Sequence, residues 1–170
     1  MTELDQLVDE ILLASRLDSR EVDVGTTESV DLIGLCAEEC ARVDAELQLN
    51  DLAALEVPGV AKLLRRAVRN LLENARRYSH GEITLELACH GQHAEIRVSD
   101  HGPGVPAEQR ERIFEKFYRL PGASERSGGV GLGLALVRSI AERHDGHVHC
   151  AGRQDGAPGA SFVLSLPLAS

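Results

Sequence analysis

The chain has 170 residues, with 18 Lys+Arg against 27 Asp+Glu and a formal net charge of −9. That length suits one domain with a real core, and the negative balance argues against a nucleic-acid or anionic-membrane surface. No apolar run approaches the roughly 18 residues that cross a bilayer, no signal-peptide pattern opens the chain, and the cysteines form no CxxC pair; reduced thiols and cytosolic exposure are the expectation.

Leu4, Leu7, Val8, Ile11 and Leu12 recur at helical spacing and predict a leader helix over residues 1–19. Its stripe is seam-like and suits a partner helix. The polar residues 20–29 read as a linker, and residues 30–170 as the domain proper. A helix is expected over residues 32–47 with Asp31 as its N-cap. Short strands are expected between residues 47 and 56, after which Pro58-Gly59 opens a strongly helical stretch over residues 60–78. Two strands, residues 83–89 and 94–99, flank the turn His90-Gly91-Gln92. Residues 100–106 read as a loop, 107–113 as a short helix and 121–129 as a mobile loop. A helix over residues 131–144, closed by Asp145-Gly146, precedes strands at 147–151 and 161–166. This order gives an α/β sandwich: a mixed, largely antiparallel sheet with helices packed on one face.

Three stretches carry chemistry. In the helix over residues 60–78, Leu64, Val68, Leu71, Leu72 and Ala75 share a core-facing stripe. Asn70, Asn74, Arg77 and Tyr78 form a neighbouring stripe at its edge. Interior asparagines are mildly unfavourable in a helix. They read either as a solvated face or as carbonyl ligands for a hard cation such as Mg²⁺, with the arginine on phosphate. In the second stretch Ala94, Ile96 and Val98 alternate inward, and Asp100 falls in phase with them. A carboxylate so aimed must find donors. The glycines of Asp100-His101-Gly102-Pro103-Gly104 let backbone pass close to whatever it holds, unless Asp100 merely caps a turn. The third stretch, Gly128-Gly129-Val130-Gly131-Leu132-Gly133-Leu134, enters an amphipathic helix whose N-terminus attracts anions. It fits neither GxGxxG after a strand nor GxxxxGK[ST], so the dinucleotide-binding and P-loop readings fail. Between the last two lies Phe114-Glu115-Lys116-Phe117-Tyr118-Arg119, whose paired aromatics by themselves suggest core.

Taken in order, the asparagine helix, DxGxG, FxxFYR and GxGLGL resemble the N, G1, F and G2 boxes of the ATP-binding domain of sensor histidine kinases. The wider superfamily includes gyrase, Hsp90 and MutL. The resemblance implies a Bergerat-type sandwich from about residue 30 to 168, preceded by the end of a dimerisation helix. It implies ATP and Mg²⁺ as cofactors, with Asn74 ligating the metal and Asn70 assisting. Arg77 would meet a phosphate oxygen, with Tyr78 beside the base. Asp100 would accept the adenine amino group while Gly102 and Gly104 admit the ring. Arg119 would begin a lid and reach the γ-phosphate, and Gly129, Gly131, Leu132, Gly133 and Leu134 would form its far end. Phe114 and Phe117 would be its hinge. Asn70, Arg77 and Arg119 are thus the catalytic candidates.

Hydrolytic members of that superfamily carry a water-activating glutamate four residues before the metal asparagine, where this chain has Asn70. None of the seven histidines sits in an H-E-x-x-T-P-like acceptor context. The expectation is therefore the catalytic half of a two-component kinase, passing the γ-phosphoryl group of ATP·Mg to a histidine on a dimerisation domain absent from this chain. From there the group would pass to a response regulator. The full-length protein would be a membrane-anchored homodimer with this domain in the cytoplasm, the fragment alone being compatible with a monomer. The alternatives are an ATPase of the same superfamily and an anti-sigma-like nucleotide-dependent binding module. His144, His147, His149 and Cys150 admit a zinc reading, set against a plain helix end, turn and strand. Cys36 and Cys40 read as half-buried thiols, and Glu38-Glu39 as a solvated face.

Overall fold

A computed structural model describes residues 12–13, 26–79, 81–115, 133–153 and 156–168, the side chain of Tyr78 excepted. Among these residues a five-stranded sheet has the order β2-β4-β5-β7-β6, from β2 (Glu46–Gln48), β4 (Thr84–His90), β5 (His93–Ser99), β6 (His147–Gly152) and β7 (Ala160–Pro167). A separate antiparallel pair joins β1 (Glu28–Asp31) to β3 (Glu56–Gly59). Every pairing in the larger sheet is antiparallel except β2 with β4, so the mixed, largely antiparallel sheet is as expected. Alternation sets its inner face: Leu85 and Leu87 of β4, and Ala94, Ile96 and Val98 of β5, are fully buried. They meet α1 (Leu32–Val43), α2 (Ala61–Tyr78) and α3 (Gly133–Arg143) in one core. Leu63, Leu64, Ala67, Val68, Leu71, Leu72 and Ala75 supply the buried stripe of α2.

Several boundaries differ from the sequence expectation, each for a local reason. Asp31 does cap α1, its carboxylate accepting from the backbone N–H groups of Ile33 and Gly34 at 3.1 and 3.2 Å. The helix stops at Val43 rather than at 47. Asp44 takes the left-handed conformation at φ 56° and the N–H of Ala45 turns back to the Cys40 carbonyl. Leu47 is thereby freed to enter β2. The strand β1 begins inside the stretch read as linker, and Pro58-Gly59 closes β3 instead of starting a helix. Pro58 is tolerated because that two-stranded ribbon is all edge. Residues 107–113 form two 3₁₀ turns, Ala107–Gln109 and Arg112–Phe114, rather than one helix.

Glu39 corrects the reading of a solvated acidic pair. It is only 2% exposed, at the seam between α1 and α2. Arg69 Nε and Arg65 Nη1 donate to it at 2.8 and 2.9 Å, and Arg42 at 3.1 Å. Burial alone would raise its pKa, but the bonds from Arg69, Arg65 and Arg42 bring it down to about 2. Cys36 and Cys40 are fully buried, and burial pushes the Cys40 thiol up to about 11.

Candidate functional site

The site lies where α2, the loop after β5 and the start of α3 come together. Asn70 is 5% exposed, more enclosed than an edge-of-core stripe implies. Its Nδ2 donates to the Gly133 carbonyl at 3.1 Å, so the asparagine helix and the glycine-rich entry to α3 are in direct contact. Asn74 lies one turn further along, half-buried, and Arg77 is exposed near the helix end. The two asparagines place amide oxygens one turn apart on one side of α2, a donor type that suits a hard cation.

Asp100 follows β5 in the same phase as Val98 and is 4% exposed. One carboxylate oxygen is fully engaged: Oδ1 accepts from Gly102 N at 2.9 Å and from Ala160 N at 3.2 Å. The Asp100 N–H in turn donates to the Ala160 carbonyl at 3.0 Å, extending the β5–β7 ladder by one step. No bond within the described residues takes up Oδ2. This is a carboxylate oriented by backbone, with one acceptor in reserve.

Two glycines let the surrounding loops close on it. Gly104 has φ +81°, and a side chain there would come within 3.0 Å of the Gly159 carbonyl. Gly159 has φ +135°, and a Cβ would overlap the Asp100 carbonyl itself. Sequence reading found Gly102 and Gly104 but missed Gly159 and Ala160, which reach the site only through the pairing of β7 with β5. It also missed Ser79, a buried residue just past α2 whose Oγ accepts from the N–H groups of His101 and Gly81, both at 3.3 Å. Arg153 lies against His101 and donates to the Pro158 carbonyl at 3.5 Å.

Phe114, one of the two expected hinge residues, is packed into the core. It is 5% exposed and packs edge-on against Phe162 of β7, ring centroids 6.3 Å apart at 78°. Gly133 and Leu134 form the first turn of α3, with Leu134 against the core. Phe117, Arg119, Gly129, Gly131, Leu132 and the side chain of Tyr78 lie outside the described residues, as do the 121–129 loop and most of the leader.

The zinc alternative gains no support. Among the described residues no three His, Cys, Asp or Glu side chains are grouped to hold a metal. His144 has both ring nitrogens committed elsewhere, to Val60 N at 3.0 Å and the Ile140 carbonyl at 2.8 Å. Cys150 is buried, and burial pushes its thiol up to about 12.

The fold and this site define a nucleotide-binding sandwich, and the chain belongs to the histidine kinase-, DNA gyrase B- and HSP90-like ATPase family, whose model matches residues 59–170. Within that family its likeness is to sensor histidine kinases, of which it represents the catalytic, ATP-binding domain. It is 36% identical to the sensor protein RstB of Escherichia coli (strain K12) over 99% of this chain and 40% of RstB. The structure of the mycobacterial sensor histidine kinase MprB superimposes with a TM-score of 0.71 at 30% identity, over 84% of this chain and 97% of that one. Full-length ShkA in complex with AMPPNP gives 0.78 at 26% identity, over 98% of this chain and 36% of ShkA. The chain thus spans about 40% of the length of RstB, and 33–37% of MprB from Mycobacterium avium (strain 104) and CpxA from Escherichia coli (strain K12). Among the described residues no helix is long and apolar enough to cross a membrane.

Proposed function

We propose that this domain binds ATP with Mg²⁺ and donates the γ-phosphoryl group to a histidine on a separate dimerisation domain, from which it passes to a response regulator. The observation that carries the nucleotide part is Asp100. Its Oδ1 is held by two backbone N–H groups and, among the described residues, its Oδ2 is left over, in a place where glycine backbone from two loops packs close around it. A fixed acceptor of that kind suits the adenine amino group. Asn74 and Asn70 would hold Mg²⁺ through their amide oxygens, and Arg77 and Arg119 would meet the phosphates. When bound, the metal neutralises phosphate charge, which is most of what phosphoryl transfer asks of a protein. The AMPPNP held by ShkA supports the same assignment. The whole protein is proposed to be a membrane-anchored homodimer with this domain on the cytoplasmic side.

Asn70 argues against the ATPase alternative. An amide is no general base, and this one is already bonded to the Gly133 carbonyl. Labelled ATP should therefore leave no acid-labile phosphohistidine on this chain alone, with slow steady hydrolysis. A separately supplied acceptor-helix domain should become labelled in trans. Stable labelling of a histidine in this chain by itself would refute the division of labour.

A further inference from the structure

His144 stands at the end of α3, outside the site, yet its ring joins the two helices that form the site. Its Nε2 lies 3.0 Å from the Val60 nitrogen and its Nδ1 2.8 Å from the Ile140 carbonyl. A backbone N–H only donates and a carbonyl only accepts. Nε2 must therefore carry the lone pair and Nδ1 the proton, which fixes one neutral tautomer. Val60 is the N-cap residue of α2 and has no side chain able to cap, so His144 supplies an acceptor there from another helix.

The approach is close by construction. A Cβ on Gly59 would lie 2.6 Å from His144 Cδ2 and 2.9 Å from Leu64 Cδ1, so the absent side chain is what admits the ring. The helices run antiparallel, and the contact pairs with a second one at the other end of α3 and midway along α2, where Asn70 Nδ2 meets the Gly133 carbonyl. On each helix the two contacts are separated by roughly 15 Å at an α-helical rise. One pin lies inside the nucleotide site and the other outside it.

We propose that His144 is a positioning residue: its neutral imidazole caps α2 from the end of α3 and holds Asn70 and Asn74 in register with the first turn of α3. The role rests on the reading of those residues as ATP·Mg²⁺ ligands. Protonation would place an N–H on Nε2, facing the Val60 N–H, with two donors and no acceptor between them.

The surroundings favour the neutral ring. Burial lowers its pKa; the Ile140 carbonyl raises it, Arg143 lowers it and Asp145 raises it. From the other side Gly59, Val60 and Leu64 face the ring without a titratable group, and the first turn of α2 has no acidic residue. The positive end of the α2 dipole disfavours an imidazolium there while the negative end of α3, where His144 sits, favours one, so the two dipoles oppose and burial decides. With the folded value below the ordinary 6.5, the unfolded chain takes up the proton first. The contribution is intact above that pH and is lost as pH falls below it.

His144→Gln and His144→Ala separate capping from titration, because glutamine keeps an acceptor at the reach of Nε2 and has no proton to gain. Two readouts on the intact chain suffice: the NMR signals of the Val60 amide and the Asn70 side-chain amide without nucleotide, and calorimetric ATP·Mg²⁺ titration from about pH 8 to pH 5. His144→Ala should unprotect the Val60 amide, shift the Asn70 amide and weaken ATP about five-fold at neutral pH, the equivalent of one lost hydrogen bond. His144→Gln should restore all three and lose the acid-induced weakening seen in the unmutated protein. Comparing variants at each pH removes the titration of the nucleotide itself. An Asn70 amide unmoved by either substitution, or a His144→Gln profile that still tracks the unmutated protein, would overturn the proposal. Absence of ATP binding at every pH would instead overturn the ligand reading, while the two amide signals would still decide whether His144 positions Asn70.

Discussion

Glu39 and Asp100 are both carboxylates almost closed to solvent, 2% and 4% exposed, and they end in opposite conditions. Both oxygens of Glu39 are bonded to arginine, Oε1 to Arg69 and Arg42 and Oε2 to Arg65. Nothing remains for a ligand, and the cluster ties α1 to α2. Among the described residues Asp100 has a single oxygen engaged, and by backbone, which fixes its direction without neutralising it. Burial with complete pairing marks structure, whereas burial with half the capacity unspent marks a place prepared for something else.

The largest effect should come from the side of α2 that Glu39 does not reach. Asn74→Ala should abolish Mg²⁺-dependent ATP binding while costing stability only on the order of 1 kcal/mol, because Asn74 is half-buried and outside the apolar stripe. Calorimetry with and without Mg²⁺ checks it. Unchanged affinity in Mg²⁺ would remove Asn74 from the metal site.

Glu39→Ala should do the reverse. Removing one member of a buried ion pair costs several kcal/mol, but Arg65 and Arg69 are 36% and 34% exposed and can turn to water. A loss of about 2 kcal/mol by urea unfolding is therefore expected, with ATP affinity held within about two-fold. The acid limb sharpens the test. The Glu39 pKa is depressed from 4.5 to about 2, so its contribution is present above pH 4.5 and disappears as pH falls toward 2. Glu39→Gln should flatten that limb. A large fall in ATP affinity at neutral pH would mean that the cluster belongs to the site after all.

Asp100→Ala comes next in size. Guanine presents a carbonyl where adenine presents its amino group, so Oδ2 would face another acceptor. An unmet pairing of that kind costs roughly 1–3 kcal/mol, and a bridging water would bring the preference for ATP over GTP to about ten-fold. The substitution should narrow that gap chiefly by weakening ATP. Competition against a fluorescent ATP analogue measures it, and equal displacement by ATP and GTP in the unmutated protein would show that Asp100 does not read the base.

The same contrast explains what the sequence could and could not reveal. The inward phase of Asp100 and the apolar stripe of α2 are local periodicities, legible from neighbours two to four residues away. Glu39 was misread because its burial depends on Arg65 and Arg69, which come from another helix. Their i, i+4 spacing was a usable hint of a shared partner, but helix spacing alone does not say which carboxylate they choose. The strand β1 is short and its partner β3 contains a proline, so neither carries a clear alternation. Gly159 and Ala160 join Asp100 only through sheet register, which no local pattern contains.

Ser79 offers the smallest test and the finest one. Its hydroxyl is buried between the end of α2 and the loop that carries Asp100, accepting from His101 N and Gly81 N. Both bonds are 3.3 Å, long for N–H···O, so each contributes at the weak end. Ser79→Ala should lower stability by less than about 1 kcal/mol. If Asp100 is directed only by its own bonds to Gly102 and Ala160, ATP affinity should not change. If the loop backbone must also be held at His101, freeing that N–H lets Asp100 and Gly102 move together. The Gly102–Oδ1 bond would survive while Oδ2 loses its aim. The second outcome is expected here, because Ala160 lies across the sheet and restrains Asp100 from one side only. ATP should weaken by about two-fold and GTP hardly at all, a small selective loss on the scale of one weak hydrogen bond. Equal weakening of both nucleotides would instead mark Ser79 as a purely structural clasp between helix and loop.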